Sequence, residues 1–114
     1  MIRIWLDIDA LTLDMEGHAE YGDAGQDIVC AAASMLAYTL VERARQLTHA
    51  IYAHMDSGRL HLCVERESDS YVPVRSAFET VGAGFDLLER RYPQNVQVQR
   101  GDYIPPGNSD NIRA

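Results

Sequence analysis

Three features of this chain predict an α/β fold of the α+β kind, a small mixed or antiparallel sheet with two helices packed on it. Short runs alternate apolar and polar residues at period two, while two longer runs repeat apolar residues at helical spacing. These runs follow one another in the order ββαββαβ. The 114 residues suffice for one domain, and two amphipathic helices on one side of a shared sheet would bury both apolar stripes.

Taken in order, IRIWLDI (2–8) reads as a strand and LTLDME (11–16) as its hairpin partner, with only Asp9-Ala10 to turn between them. A loop rich in glycine follows, GHAEYGDAGQD (17–27), a composition that gives the backbone unusual freedom. Asp27 suits an N-cap. From Ile28 the residues Val29, Ala33, Leu36, Leu40, Ala44 and Leu47 recur at helical spacing, and charge is absent until Glu42. The first four turns of that helix are therefore expected to be largely buried. HAIYAHM (49–55) and RLHLCVER (59–66) form a second hairpin around Asp56-Ser57-Gly58. Val74, Phe78, Val81, Phe85, Leu88 and Tyr92 mark a second helix, with Pro73 suited to its first turn and Pro93 to its end. Gly82 and Gly84 cost that helix stability, which predicts close packing against another backbone. NVQVQR (95–100) is a last short strand. Residues 1–100 thus read as one domain and 101–114, with Pro105-Pro106-Gly107, as an irregular tail.

Charge and cysteine content narrow the function. The chain has ten arginines and no lysine. Residues 1–42 hold Arg3 against eight acids, which accounts for the whole net charge of −7. Such a face suits a basic partner through long-range steering, and it opposes direct nucleic-acid binding, which needs positive charge at phosphates. No apolar run reaches the roughly 18 residues of a membrane span, and the acids in MIRIWLDIDA are unlike a secretory leader. The expected setting is the cytoplasm, with Cys30 and Cys63 reduced. No CxxC is present, so neither a zinc ribbon nor a dithiol redox motif is indicated. His49, His54, His61 and Cys63 cluster on the second hairpin, but their spacing is not that of a metal site.

The chemistry concentrates in GHAEYGDAGQDIVCAAASML (17–36). With Asp27 as cap, Cys30 falls in the first turn of a helix. Unpaired amides and the helix dipole there favour an anion, and so a thiolate. An imidazole brought alongside by the loop, His18, could carry the proton. Helix-start amides could also hold an oxyanion. A buried structural cysteine and a surface histidine fit the same residues.

This block resembles the signature of the ribosomal-processing cysteine protease (Prp) family: a Gly-His pair, a glycine-containing loop, then Asp-Ile-Val-Cys-Ala-Ala with a serine one turn on. Those positions are Gly17, His18, Gly22, Gly25, Asp27, Cys30 and Ser34. LLERRYPQNVQV also resembles the family's second helix and last strand, so that the resemblance spans roughly residues 2 to 100. It implies Cys30 as nucleophile and His18 as its base, Gly17, Asp27 and Ser34 in support, and Gly22 and Gly25 in a loop that orders over substrate. It implies a homodimeric enzyme that trims the N-terminal extension of a large-subunit ribosomal protein precursor; no metal and no cofactor are expected. Members in phage-related settings act on capsid or scaffold proteins instead. The short turn at Asp9-Ala10 and the tail depart from the family pattern. A non-catalytic module offering its acidic face to a basic partner is the reading from a different class.

Overall fold

The computed structural model describes residues 1–23 and 27–101, so Gly25 and nearly all of the tail lie outside the described residues. The elements are β1 (Ile2–Asp7), β2 (Thr12–Glu16), α1 (Ile28–Leu47), β3 (Ile51–Asp56), β4 (Arg59–Val64), α2 (Tyr71–Arg91) and β5 (Val96–Arg100). The order is the expected ββαββαβ, and the sheet is mixed. Its strands run β3-β4-β2-β1-β5. Every pairing is antiparallel except that of β1 with β5, which is parallel and places Ile2 beside Val96.

Alternation along the strands sorts the sheet into two faces. Ile2, Ile4 and Leu6 of β1, Leu13 of β2 and Leu60, Leu62 and Val64 of β4 are buried with the helices. On the same side lie Val29, Ala33, Ala37, Leu40 and Ala44 of α1 and Val74, Phe78 and Phe85 of α2. The opposite face carries rows of polar and aromatic side chains, such as His54, His61, Asp14 and Trp5 on neighbouring strands.

The first connection is longer than Asp9-Ala10, because Ile8 and Leu11 leave the ladder. The Asp7 carboxylate accepts from the Ala10 amide at 3.0 Å. Leu11 then takes a left-handed φ of 55°, a cost of order 1 kcal/mol offset by its fully buried side chain. Arg75 of α2 grips Asp9 in this connection at 2.8 Å. That hydrogen bond is the main reason the guanidinium holds its proton even more firmly than usual.

Three expectations need correction. The start of α1 is not buried all round: Ile28, Met35 and Tyr38 are 59 %, 64 % and 49 % exposed. Only one side of the helix meets the two-layer core, so a second apolar row faces outward. Gly82 and Gly84 make room for side chains rather than for a neighbouring backbone. A Cβ would come within 2.8 Å of Leu6 Cδ2 at Gly82 and 2.7 Å of Leu36 Cδ2 at Gly84. Nor do the acids of residues 1–42 form one uncompensated surface. Asp9 meets Arg75, while Asp14 and Glu16 both meet Arg59, at 3.0 and 3.6 Å.

Candidate active site

Asp27 builds the start of α1. Its Oδ1 accepts from the Val29 and Cys30 amides, each at 3.0 Å, which is N-cap geometry. Its Oδ2 reaches back across the loop to the Tyr21 amide at 3.0 Å and the Gly22 amide at 3.4 Å. One carboxylate thus ties the loop to the helix. Burial alone would raise its pKa, but the four backbone hydrogen bonds, from Cys30, Tyr21, Gly22 and Val29, outweigh that and hold it below the ordinary 3.8. The charged carboxylate therefore stabilises the fold fully above pH 3.8, and that contribution disappears as pH falls through the lower folded value. Melting temperatures of wild type and Asp27→Asn, measured against pH, should accordingly converge only in this acid window. A constant gap at all pH values would show that the charge does not matter. Asp27→Ala, which removes the cap altogether, should cost about 1 kcal/mol.

Cys30 lies in the first turn of α1, half-buried, with its Sγ 3.1 Å from the Ala19 amide. The Val29 and Cys30 amides are already taken by Asp27, so these two helix-start donors are not available to an oxyanion in this arrangement. Ala19 is itself held: its side chain is buried, and its carbonyl accepts from the Asn95 side chain at 2.8 Å.

His18 arrives from the end of β2. Gly17 takes a φ of 96° and donates its amide to the Gly58 carbonyl at 2.8 Å, so the chain turns against the β3–β4 connection. The His18 ring rests on that turn. A Cβ at Gly58 would lie 3.0 Å from His18 Nε2 and 3.4 Å from Cε1. His18, Gly22, Asp27, Cys30 and Ser34 line one cavity of about 560 Å³. His18, Cys30 and Ser34 also line a second, of about 110 Å³, together with Gly17 and Gly58. The structure therefore gathers all the site residues singled out in the sequence except Gly25, which lies outside the described residues.

Local sequence gave no warning of Ala19, Gly58 or Asn95. Gly58 is legible as a turn glycine but not as the floor under His18. Asn95 reads in the sequence only as the first residue of the last strand, whereas the strand begins at Val96. On the second hairpin, His54 and His61 do face each other across β3 and β4. Each has a carboxylate nearby, His54 with Asp56 at 2.8 Å and His61 with Asp14 at 3.7 Å. Among the described residues, no group of three or more metal-ligating side chains is assembled.

The sequence and the fold are similar to those of known proteins. The family model described as cysteine protease Prp matches residues 1–97. The ribosomal processing cysteine protease Prp of Staphylococcus aureus is 28 % identical over 88 residues, which cover 74 % of this chain and 80 % of that one. Among solved structures, the S. aureus ribosomal processing protease Prp with a covalently linked product peptide superposes with a TM-score of 0.75 at 25 % identity. The match covers 89 % of this chain and all of that one. SMU.848 from Streptococcus mutans gives 0.66 at 25 % identity, over 87 % and 90 % of the two chains. A cysteine in the first turn of a capped helix, with a histidine lining the same cavity, thus sits in a fold shared with peptide-bound proteases, and the chain belongs to the Prp family of cysteine proteases.

Proposed function

We propose that this chain is a cysteine endopeptidase that removes the N-terminal extension of a large-subunit ribosomal protein precursor, with Cys30 as nucleophile and His18 as base. The observation that carries the reading is the placement of Cys30. Its sulfur receives a backbone amide at 3.1 Å and shares both cavities with His18. His18 would take the thiol proton as Sγ attacks the scissile carbonyl carbon, then return it to the departing amine, leaving a thioester. Water, deprotonated by His18, would hydrolyse the thioester and restore the thiol. Ser34 lies one helical turn beyond Cys30 on the wall of both cavities, and Gly17 and Asp27 hold the loop and helix that carry the pair. Gly22, tied to Asp27, borders the larger cavity where a peptide would enter.

The substrate assignment draws on the S. aureus relative, whose name is ribosomal processing protease. We also place the enzyme in the cytoplasm as a homodimer. Among the described residues no helix is long and apolar enough to cross a membrane, and the exposed row of Ile28, Met35 and Tyr38 is a surface that a second copy would cover. Incubation of the purified chain with extended ribosomal protein precursors, and in parallel with phage capsid and scaffold proteins, tests the reading. One cut at the end of the ribosomal extension, seen by mass spectrometry, is expected, with a dimer in sedimentation velocity. Cleavage confined to the phage proteins would move the substrate to that class, and a monomer would remove the dimer.

A further inference from the structure

We propose that Asn95 is a positioning residue for the nucleophile: by holding the Ala19 carbonyl, it keeps the Ala19 amide aimed at Cys30 Sγ. The inference rests on the reading of Cys30 as nucleophile and extends it to a residue at the far end of the chain.

Ala19 is held at three points. Its side chain is 1 % exposed. Its carbonyl accepts from Asn95 Nδ2 at 2.8 Å, and its amide donates to Sγ at 3.1 Å. A backbone carbonyl can only accept, so the Asn95 atom facing it must be the nitrogen. Asn95 is in turn braced by its own backbone. Its amide donates to the Tyr92 carbonyl at 2.9 Å, and its carbonyl accepts from Ile2 at 2.8 Å. The mount therefore joins the end of α2, the start of β1 and the loop at one point.

Immediately past Ala19 the chain strains. Glu20 is not glycine, yet it takes a φ of 59°. Such a conformation costs of order 1 kcal/mol or more and persists only where neighbours enforce it. Without the Asn95 donor, the Ala19–Glu20 peptide can rotate toward an ordinary conformation. The Ala19 amide belongs to the preceding His18–Ala19 peptide, so the effect reaches it through the Ala19 Cα: with its carbonyl released, the residue can shift as a unit, which moves the amide off the sulfur and disturbs His18, its neighbour in sequence. A hydrogen bond aimed at an ionised group favours that ionised form, so losing it should make Cys30 less reactive at neutral pH.

The experiment is the rate of iodoacetamide alkylation of Cys30 and Cys63, read by mass spectrometry across pH, in wild type, Asn95→Ala and Asn95→Asp. In wild type, Cys30 should be alkylated faster than Cys63 near neutral pH. In both variants the Cys30 profile should shift to higher pH, with a loss of about tenfold near neutrality, the scale of one hydrogen bond to a charged group. The Cys63 profile, on the opposite face of the sheet, should not move. Asn95→Asp matters because it keeps the size of the side chain but, once ionised, offers no donor. A shift in Asn95→Ala alone would trace to lost volume and overturn the inference. So would unchanged Cys30 profiles in both folded variants. If Cys30 and Cys63 are already alkylated at equal rates in wild type, the nucleophile reading fails first, before any substitution is made. A test without substitution is hydrogen exchange at the Ala19 amide in the wild-type protein. Protection is expected, and exchange at the rate of a free loop would overturn the proposal.

Discussion

Cys30→Ala should abolish proteolysis and leave the fold standing. The variant deletes the only atom that forms a bond to the substrate in the proposed mechanism. Removing a nucleophile from a serine protease costs about six orders of magnitude in turnover, and a loss on that scale takes cleavage below detection here. Structurally the change is small. Alanine is the best helix former, and Cys30 already runs into Ala31, Ala32 and Ala33. What the fold loses is the 3.1 Å contact from the Ala19 amide to sulfur, a weak acceptor, and about 1 kcal/mol of stability or less. Precursor should still bind. His18→Ala should slow cleavage by a factor of about 10² to 10⁴, the range that a positioned general base supplies. Gel assays of precursor, beside a melting curve for each variant, separate lost chemistry from lost fold. Trimming by Cys30→Ala at the wild-type rate would end the Cys/His mechanism.

Gly58→Ala should injure catalysis from outside the loop and the helix. Two penalties coincide at this position. The backbone φ of 77° is left-handed, which costs an alanine about 1–2 kcal/mol. The new methyl would also lie 3.0 Å from His18 Nε2, closer than packed atoms tolerate, so the ring must move by a few tenths of an ångström. Misplacement of a catalytic group by about 1 Å can cost about 10²-fold, and a smaller displacement should cost about tenfold in turnover. Gly101 supplies the control. Its φ is 84°, but a Cβ there meets no described atom within 4 Å. Gly101→Ala should therefore share the loss in melting temperature and keep full activity. Equal turnover in the two variants would mean that the β3–β4 turn does not seat the base.

The sequence shows how unevenly a fold announces itself. Helix α1 was legible from Ile28 to Leu47 because a capping aspartate and a long apolar repeat are both local signals. So were the two hairpins and the stop at Pro93. The order of strands was not, since nothing in the composition of β5 says that it will lie parallel beside β1. The outward apolar row of α1 was missed because an all-apolar stretch at helical spacing does not reveal how many layers will cover it. Charge misled for a related reason. The acids of the first 42 residues and the arginines beyond them segregate along the chain, yet Arg59 and Arg75 return to meet Asp14, Glu16 and Asp9. Within the candidate site, the 17–36 block disclosed the groups proposed to react. The groups that hold them, Gly58 and Asn95, reach it only through tertiary contacts.

The parallel pairing of β1 with β5 also sets a timetable. A ribosome delivers the chain from its N-terminus, and domains fold as their residues emerge. Ile2 finds its partner only when Val96 has been made, and Ala19 waits equally long for Asn95. Contacts between such distant positions close late, because a long loop must be ordered before they form. His18 and Cys30 are synthesised early, but their surroundings are complete only once the last strand has added to the edge of the sheet. A nascent chain carrying both groups thus still lacks the last strand and Asn95, and the pairing of β1 is completed only when nearly all of residues 1–100 have been translated.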